Sequence, residues 1–445
     1  MKRNRILIGP KEIAGYYANL AKGFDAIGVT VDYVTYNLHP FDYGGQTRHP
    51  LLLRLAQYIE VSSSDVKWLH FCRWLFKAFA ILTRSVWGLW AIFRYDTFIF
   101  GFGSSLLIWN WDLPILKLLG KVVISNLAHG SEARPAFMDG AIHLDVSNTR
   151  SLARRLASLC AYSKSLIDRH EAMATIVIGH PLSVCHYSTS PSINSLAIGI
   201  PMTLDEKIEG ALQSKYTEDN IGQNACRILH APSNTNAKGT ENILQAINRL
   251  KQKGYSIELI LISGKSNHEV LSEIQKCDFV VDQVFSDGPM AGFATEAAWF
   301  AKPAVVGGYG LDLLKETVSS DMWPPSKICH PDHLDQAIEE LISDYEQRVT
   351  LGKQAQLFVQ NKWNAEEVAR KFLRLIDGDI PHEWWFCPGD FNYLEGACQN
   401  VSTTQQRVRH LVHQCGIESL QLGHRPDLEA AFLDFAGIDQ THESK

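Results

Sequence analysis

Two polar side chains of different chemistry lie in the segment NLAHGSEARP, which follows a predicted strand. His129 stands at the end of that strand, where an imidazole can move a proton or contact a polar ligand. Arg134 lies in the same loop and can hold a phosphate or a carboxylate by two parallel hydrogen bonds. A single histidine is more often structural than catalytic, but Glu132 and Arg134 share its loop. We therefore predict a catalytic role for His129.

A lysine precedes a predicted helix in the segment HAPSNTNAKGTENIL. Lys238 and Gly239 follow a polar loop that contains Asn234, and Thr240 is the expected N-cap of the helix. The ammonium group adds a full positive charge to the partial charge of the helix N-terminus. The ammonium group and the helix N-terminus together suit a diphosphate. A solvated surface lysine is the alternative, and the position of this loop in an α/β unit favours the diphosphate.

A carboxylate lies in an unusually apolar stretch, DGPMAGFATEAAWFAKPAVVGG, where Glu296 is the only acidic residue between Gly288 and Gly308. Gly292 precedes a predicted helix whose first amides, at Phe293 and Ala294, could bind a phosphate. Glu296 is expected near the start of that helix, where its carboxylate could accept two hydrogen bonds from a ribose. The alternative is a favourable interaction with the helix N-terminus alone.

Gly9 and Gly15 bracket the loop after the first predicted strand, in the segment IGPKEIAGYY. Glycine allows the backbone to approach a phosphate or a sugar closely, and the helix that follows offers amide groups to an anion. The segment lacks the Gly-x-Gly-x-x-Gly pattern of dinucleotide sites, so no such cofactor is predicted. A structural turn explains Gly15 equally well.

Strands and helices alternate in two consecutive series, which predicts an α/β protein with two Rossmann-like domains that face each other. Ligands of such sheets bind beyond the carboxyl ends of the strands, so a cleft between the domains is the expected site. We expect domains at residues 1–202 and 203–380, and a C-terminal extension at 381–445 of undefined role. The segment SVCHYSTS, Ser183–Ser190, is expected to be the last strand of the first series.

The composition is that of a soluble globular enzyme, with 46% hydrophobic and 20% charged residues. A net charge of −6 disfavours a nucleic-acid partner. The nine cysteines form no Cys-x-x-Cys pair, which indicates buried thiols in a reducing cytosol and no metal site. The N-terminal apolar run is too short for a signal peptide, and no run approaches the ~20 apolar residues of a membrane span. A cytoplasmic protein is therefore expected.

The segment from Val66 to Asp96 mixes aromatic with basic residues. This mixture is typical of a helix that lies on a membrane surface. A core helix with snorkelling charges is the alternative, and it gains weight because the basic residues do not share one face. A peripheral contact with the inner face of the cell membrane through 66–96 therefore remains open.

Several of these segments together resemble the GT-B glycosyltransferases, especially a bacterial subgroup of glycosyltransferase family 4. GFATEAAWFAKPAVV resembles the donor-binding signature of that family, and HAPSNTNAKGTENIL resembles its diphosphate-binding loop. FGFGSSLL, DLPILKLLGKVVI and HGSEAR resemble the N-terminal half of the subgroup. The resemblance extends in blocks from about Arg5 to Phe372.

The resemblance implies a GT-B fold and a retaining transfer of a sugar from a nucleotide sugar, without a metal or other cofactor. The donor would contact the C-terminal domain and a carbohydrate or lipid-linked acceptor the N-terminal domain, in cell-envelope or exported polysaccharide assembly. By position, Lys238 would bind the diphosphate and Glu296 the ribose. His129 would lie near the transferred sugar, and Gly15 near the diphosphate or the acceptor.

Two positions depart from the family pattern. Gly288 occupies the place of the first glutamate in the Glu-x7-Glu signature, and no basic residue precedes Lys238 in SNTNAKG. Arg134 is a candidate substitute for the missing positive charge. These departures keep two other interpretations open: a catalytically inactive binding or scaffold subunit, and a nucleotide-sugar epimerase.

Overall fold

The computed structural model describes residues 5–36, 51, 53–54, 73–142, 149–203 and 225–438. They form two separate sheets, as the two alternating series predict. The first sheet has seven strands in the order β12-β6-β5-β4-β3-β1-β2. These strands are β1 (Ile6–Ile8), β2 (Val31–Tyr33), β3 (Thr97–Gly101), β4 (Val122–Leu127), β5 (Ile176–Gly179), β6 (Ser192–Asn194) and β12 (Trp385–Phe386).

The second sheet has five strands in the order β11-β10-β9-β7-β8. They are β7 (Cys226–His230), β8 (Ile257–Leu261), β9 (Phe279–Gln283), β10 (Ala304–Gly307) and β11 (Lys327–Cys329). All neighbours in this sheet are parallel, and in the first sheet only β12 runs antiparallel to its neighbour. Helices cover both faces of such sheets, which explains why the central strands are apolar runs rather than alternating patterns.

Helices connect the strands and pack on the sheets. In chain order they are α1 (Tyr16–Ala26), α2 (Arg73–Arg94), α3 (Asp112–Leu118), α4 (Thr149–Met173), α5 (Pro181–Val184), α6 (Ser195–Ile198), α7 (Thr240–Gln252), α8 (Asn267–Lys276), α9 (Gly292–Trp299), α10 (Leu311–Thr317), α11 (Leu334–Ser343), α12 (Tyr345–Lys362), α13 (Ala365–Asp377), α14 (Val401–Cys415) and α15 (Pro426–Phe435). The predicted α/β architecture with two Rossmann-like sheets is confirmed.

The segment SVCHYSTS is not a strand, contrary to the prediction. It begins in the short helix α5, which Pro181 starts, and continues as a buried turn between β5 and β6. The C-terminal segment buries it: the His186 ring donates to the Tyr393 carbonyl at 2.7 Å, and the Tyr187 hydroxyl donates to the Leu420 carbonyl at 3.2 Å. Its burial therefore comes from distant residues that cover it and not from a place in the sheet.

The expected N-cap of α7 was Thr240, which the structure corrects. Gly239, with a left-handed φ of 70°, is the N-cap, and Thr240 is the first helical residue.

The sequence argument expected no apolar run of membrane-spanning length, which also needs correction. The region Leu75–Arg94 of α2 has 20 residues and a mean hydropathy of 1.3, so by length and composition it is long and apolar enough to cross a membrane. Core helices of soluble proteins can meet the same criterion, and a third of the most apolar stretch of α2 is buried.

The chain after the second sheet returns to the first. Helix α13 packs on α1 so closely that a Cβ on Gly23 would lie 2.0 Å from the Ala365 carbonyl oxygen. Strand β12 extends the first sheet, and the Arg407 guanidinium on α14 donates to the Asp139 carbonyl at 2.8 Å. The predicted boundaries at 202 and 380 stay a prediction.

Candidate functional site

The carboxyl ends of the two sheets meet through a buried charge cluster. Arg134, in the loop after β4, donates to the Asp287 carboxylate in the loop after β9, with 2.9 Å from Nε to Oδ2. The Ser183 hydroxyl donates to the same oxygen at 2.9 Å, and an Arg134 Nη1–Asp139 Oδ1 distance of 3.2 Å completes the cluster. Burial alone would lower the pKa of Arg134, but Asp287 and Asp139 hold it above its ordinary value. The guanidinium is thus engaged within the protein, and its contact with a ligand stays a prediction.

His129 lies on the first-sheet side, where β4 ends. Glu132 orients it: one carboxylate oxygen accepts from the His129 backbone amide at 2.9 Å and lies 3.3 Å from ring Nδ1. Ring Nε2 is 3.4 Å from the Tyr17 hydroxyl, and the Phe102 ring centroid is 6.2 Å away. A carboxylate on Nδ1 favours the proton at that nitrogen and leaves Nε2 as the acceptor in the neutral ring. This is the arrangement of an oriented polar group, which fits the predicted role of His129.

Glu12 occupies the N-terminus of α1, where the sequence suggested an anion site. Its carboxylate accepts from the amides of Ile13 at 2.7 Å and Ala18 at 2.9 Å. Gly15 is the N-cap of α1 with a left-handed φ of 83°, so it serves the turn. Amides that we expected to be open to a phosphate are therefore bonded to the chain's own carboxylate. A contact between Gly15 and a ligand stays a prediction.

Lys238 lies at the carboxyl end of the second sheet, just before α7. Its ammonium donates to Asp282 Oδ1 at 3.1 Å and to Gln283 Oε1 at 2.8 Å. An ammonium group has three donors, so one remains for a ligand. The Asn234 side chain accepts from the amides of Asn236 and Ala237 at 3.0 and 3.1 Å, which shapes the loop from within. Asn234 therefore has a structural role in addition to its predicted contact with the nucleotide sugar.

Gly239 is needed for the close packing of this loop. A Cβ at this position would lie 2.8 Å from the Val284 side chain, and the residue has a left-handed φ. Substitution would therefore displace Lys238 from the end of the sheet.

Glu296 is the fifth residue of α9, just past the first turn and near the start of the helix as expected. Gly292 and Phe293 are the first residues of this helix, whose leading amides have no intrahelical partner. The Asn267 amide donates to Glu296 Oε1 at 2.7 Å. Burial raises the pKa of Glu296 to about 7, although the hydrogen bond from Asn267 opposes that shift.

This pKa predicts a pH-dependent affinity for nucleotides. The ionised carboxylate accepts hydrogen bonds from ribose hydroxyls, and it becomes protonated as the pH falls through about 7. The nucleotide Kd should therefore rise by roughly tenfold from about pH 8 to about pH 6, measured by calorimetry. Glu296→Gln should bind weakly at both pH values. A wild-type Kd that is constant over this range, or unchanged affinity in Glu296→Ala, would count against the ribose role.

A histidine that the sequence argument missed lies opposite Gly288. A Cβ on Gly288 would be 3.1 Å from His180 Nε2, so a side chain there would fit only if this ring moved by a few tenths of an ångström. His180 is only 8% exposed, and neither ring nitrogen has a hydrogen-bond partner in the structure. Burial lowers the pKa of His180 to about 4, so the ring is neutral. The available signal was its place in IVIGHP, directly after β5.

A series of hydrogen bonds connects Lys238 to Gly288. Gln283, which accepts from Lys238, donates to the Ser286 hydroxyl at 2.6 Å, and that hydroxyl donates to the Gly288 carbonyl at 2.7 Å. The chain of contacts runs from Lys238 through the loop after β9 to Gly288 and His180. The structure thus connects the predicted donor loop with residues of the first sheet.

Comparisons with known proteins identify the fold. No protein-family model matches the chain, and no curated protein matches it in sequence. Among solved structures, the α,α-trehalose 6-phosphate synthase from Burkholderia multivorans aligns over 84% of this chain and 97% of its own, with 10% identity and a TM-score of 0.50. Together with the two parallel sheets, this likeness shows a GT-B fold.

Two other structures are more distant in shape. Anabaena HepE in complex with UDP aligns over 84% of this chain and 100% of its own, with 12% identity and a TM-score of 0.44. The UDP-GlcNAc 2-epimerase from Methanocaldococcus jannaschii covers 84% of this chain and 99% of its own, with 9% identity and a TM-score of 0.40. Membership of glycosyltransferase family 4 stays a prediction.

Proposed function

We propose that this protein is a retaining glycosyltransferase, which moves a sugar from a nucleoside-diphosphate sugar to a hydroxyl of an acceptor. The observation that carries the proposal is the position of Lys238. It lies at the carboxyl end of the second sheet beside the N-terminus of α7, with one ammonium donor available, and its contacts lead to Gly288 and His180. A GT-B fold provides the cleft that such a reaction needs.

The chemistry follows from the charges that develop. The bond between the sugar anomeric carbon and the diphosphate oxygen breaks, and negative charge grows on the leaving diphosphate. Lys238 and the amides at the start of α7 and α9 stabilise that charge. Glu296 holds the ribose, and the acceptor oxygen bonds to the anomeric carbon on the face from which the diphosphate leaves. The proton of the acceptor hydroxyl passes to an oxygen of the leaving diphosphate. His129, oriented by Glu132, contacts the sugar. The proposal includes no metal.

We place a carbohydrate or lipid-linked acceptor against the first sheet, and a contact with the inner face of the cell membrane at α2. The subgroup that the sequence resembles suggests envelope or exported polysaccharide assembly. The described residues of 66–96 are those from Arg73 onward; residues 66–72 lie outside the described part.

A panel of nucleotide sugars tests the proposal by calorimetry, followed by incubation of the best ligand, radiolabelled in the sugar, without acceptor. We expect micromolar-range binding of one class of nucleotide sugar and slow release of free sugar by hydrolysis. Appearance of an epimerised nucleotide sugar would instead identify an epimerase. Failure of the protein to bind any nucleotide or nucleotide sugar would overturn the enzymatic proposal.

An inactive binding subunit is the second candidate, because two structural observations favour it. Asp282 already offsets the charge of Lys238, and its side chain is almost fully buried beside the ammonium. His180 packs closely against Gly288, the position where the family pattern has a glutamate. Binding of a nucleotide sugar without hydrolysis or transfer would support this candidate.

A further inference from the structure

A cavity of about 900 Å³ opens at the carboxyl end of the first sheet. The loops after β1 and β3 form one side, and helices α2 and α4 form the other. One of its lining residues is Phe102, whose ring lies 6.2 Å from the His129 ring. The cavity therefore ends beside the group that we place at the transferred sugar.

The cavity carries an excess of positive charge. Among the described residues that line it, Lys11 and Arg169 are partly exposed cations, whereas the carboxylate of Glu12 is bonded to the backbone amides of Ile13 and Ala18. The Lys11 ammonium lies 5.5 Å above the Phe102 ring, and Arg169 donates to the Trp109 carbonyl. Two cations held at the wall of a cavity suit an anionic group.

The mouth of the cavity is apolar and exposed. Trp109 and Trp111 line it with 73% and 65% of their surface open to solvent, and Ile108 and Ile81 are exposed beside them. Trp109 also has a left-handed φ of 55°, which is unusual for a bulky residue and places its side chain outside the core. Tryptophan prefers the boundary between water and lipid, because its ring is apolar and its N–H is polar.

Helix α2 continues this apolar surface. Its exposed residues Leu82, Val86, Leu89 and Phe93 recur at helical spacing and form one stripe. The stripe lies next to Ile81 and Ser85, which line the cavity. Exposed apolar surface of this extent marks a contact site rather than an ordinary protein surface.

We infer that this cavity is the acceptor subsite and that it takes the phosphate-bearing head of an anionic lipid from a membrane surface. The head lies against Lys11 and Arg169, and the apolar chain remains in the lipid beside Trp109, Trp111 and the stripe of α2. The charge of the wall and the apolar mouth together fit an amphiphile, which neither feature alone would indicate. The inference rests on the proposed function, which supplies the transfer at His129.

Vesicle flotation of the full chain tests the apolar mouth. Vesicles of phosphatidylcholine with phosphatidylglycerol should bind the protein more tightly than vesicles of phosphatidylcholine alone. The double variant Trp109→Ser with Trp111→Ser should weaken binding by about tenfold or more, because two side chains no longer enter the lipid. Both tryptophans are exposed, so the fold should tolerate the change. Leu357→Ser, at a position on α12 that is 60% exposed, is the matched control and should bind like the wild type.

A second arm tests the charged wall. Lys11→Gln and Arg169→Gln should each reduce the preference for phosphatidylglycerol, whereas Lys251→Gln on the exposed end of α7 should not. Absence of vesicle binding, tryptophan variants that bind normally, or an intact lipid preference in both cation variants would overturn the inference. Nucleotide-sugar affinity, measured on the same variants, distinguishes a failure of this inference from a failure of the proposed function. The affinity should be unchanged in the variants. A wild-type protein that binds no nucleotide sugar would contradict the proposed function instead.

Discussion

Replacement of Lys238 by alanine should lower the turnover of sugar transfer or hydrolysis by about 100-fold or more, as expected for loss of a preorganised donor to a developing negative charge. The structure sharpens this expectation. Asp282 and Gln283 hold the ammonium in place and leave one donor for the diphosphate. The lysine is therefore preorganised, and its effect should appear in kcat rather than only in KM.

Lys251→Ala is the matched control for this measurement, because Lys251 lies in the last turn of the same helix and is exposed. It should keep wild-type turnover. Circular dichroism of both variants checks that α7 remains folded. Normal turnover in the Lys238→Ala enzyme would remove the lysine from the mechanism, and with it the main support for the proposed transfer.

Replacement of Arg134 by alanine should lower the free energy of unfolding by about 3–5 kcal/mol, since it leaves buried carboxylates without a countercharge. Asp139 is fully buried and Asp287 is 7% exposed, so water cannot solvate either one in place of the guanidinium. Urea unfolding, followed by tryptophan fluorescence, measures the change. The effect should be large, because this cluster joins the loops after β4 and β9.

A double-mutant cycle isolates the contact between the sheets. Arg134→Ala combined with Asp287→Ala should cost less than the sum of the two single changes, since the second change removes one of the stranded charges. Additive effects would show that the pair does not interact. A stability of Arg134→Ala within about 1 kcal/mol of the wild type would contradict the assigned role of the cluster.

Most of the fold could be predicted, because the elements are locally encoded. The apolar runs RILIG and CRILH lie in β1 and β7, and TENILQAINRLKQ forms α7, as expected. The failures have a common cause. SVCHYSTS was expected to be a strand, but it is a helix and turn covered by residues far along the chain, Tyr393 and Leu420.

In the candidate site, too, the features encoded by local sequence were predicted. From sequence, Lys238 and Gly239 were expected between a strand and a helix, and Glu296 on a helix after a glycine loop; the structure has both arrangements. Glu296 is the fifth residue of α9, which agrees with its expected place near the start of the helix.

Local sequence was sufficient for most of the strands and helices and for the loops that carry His129, Lys238 and Glu296, because short-range periodicity and glycine placement encode these features. Packing of distant segments was required for the rest. Arg134 pairs with Asp287 across 153 positions of the chain, and His180 meets Gly288 from the other sheet. Which cations face a ligand and which are already neutralised depends on such long-range contacts, and these form only when the two sheets come together.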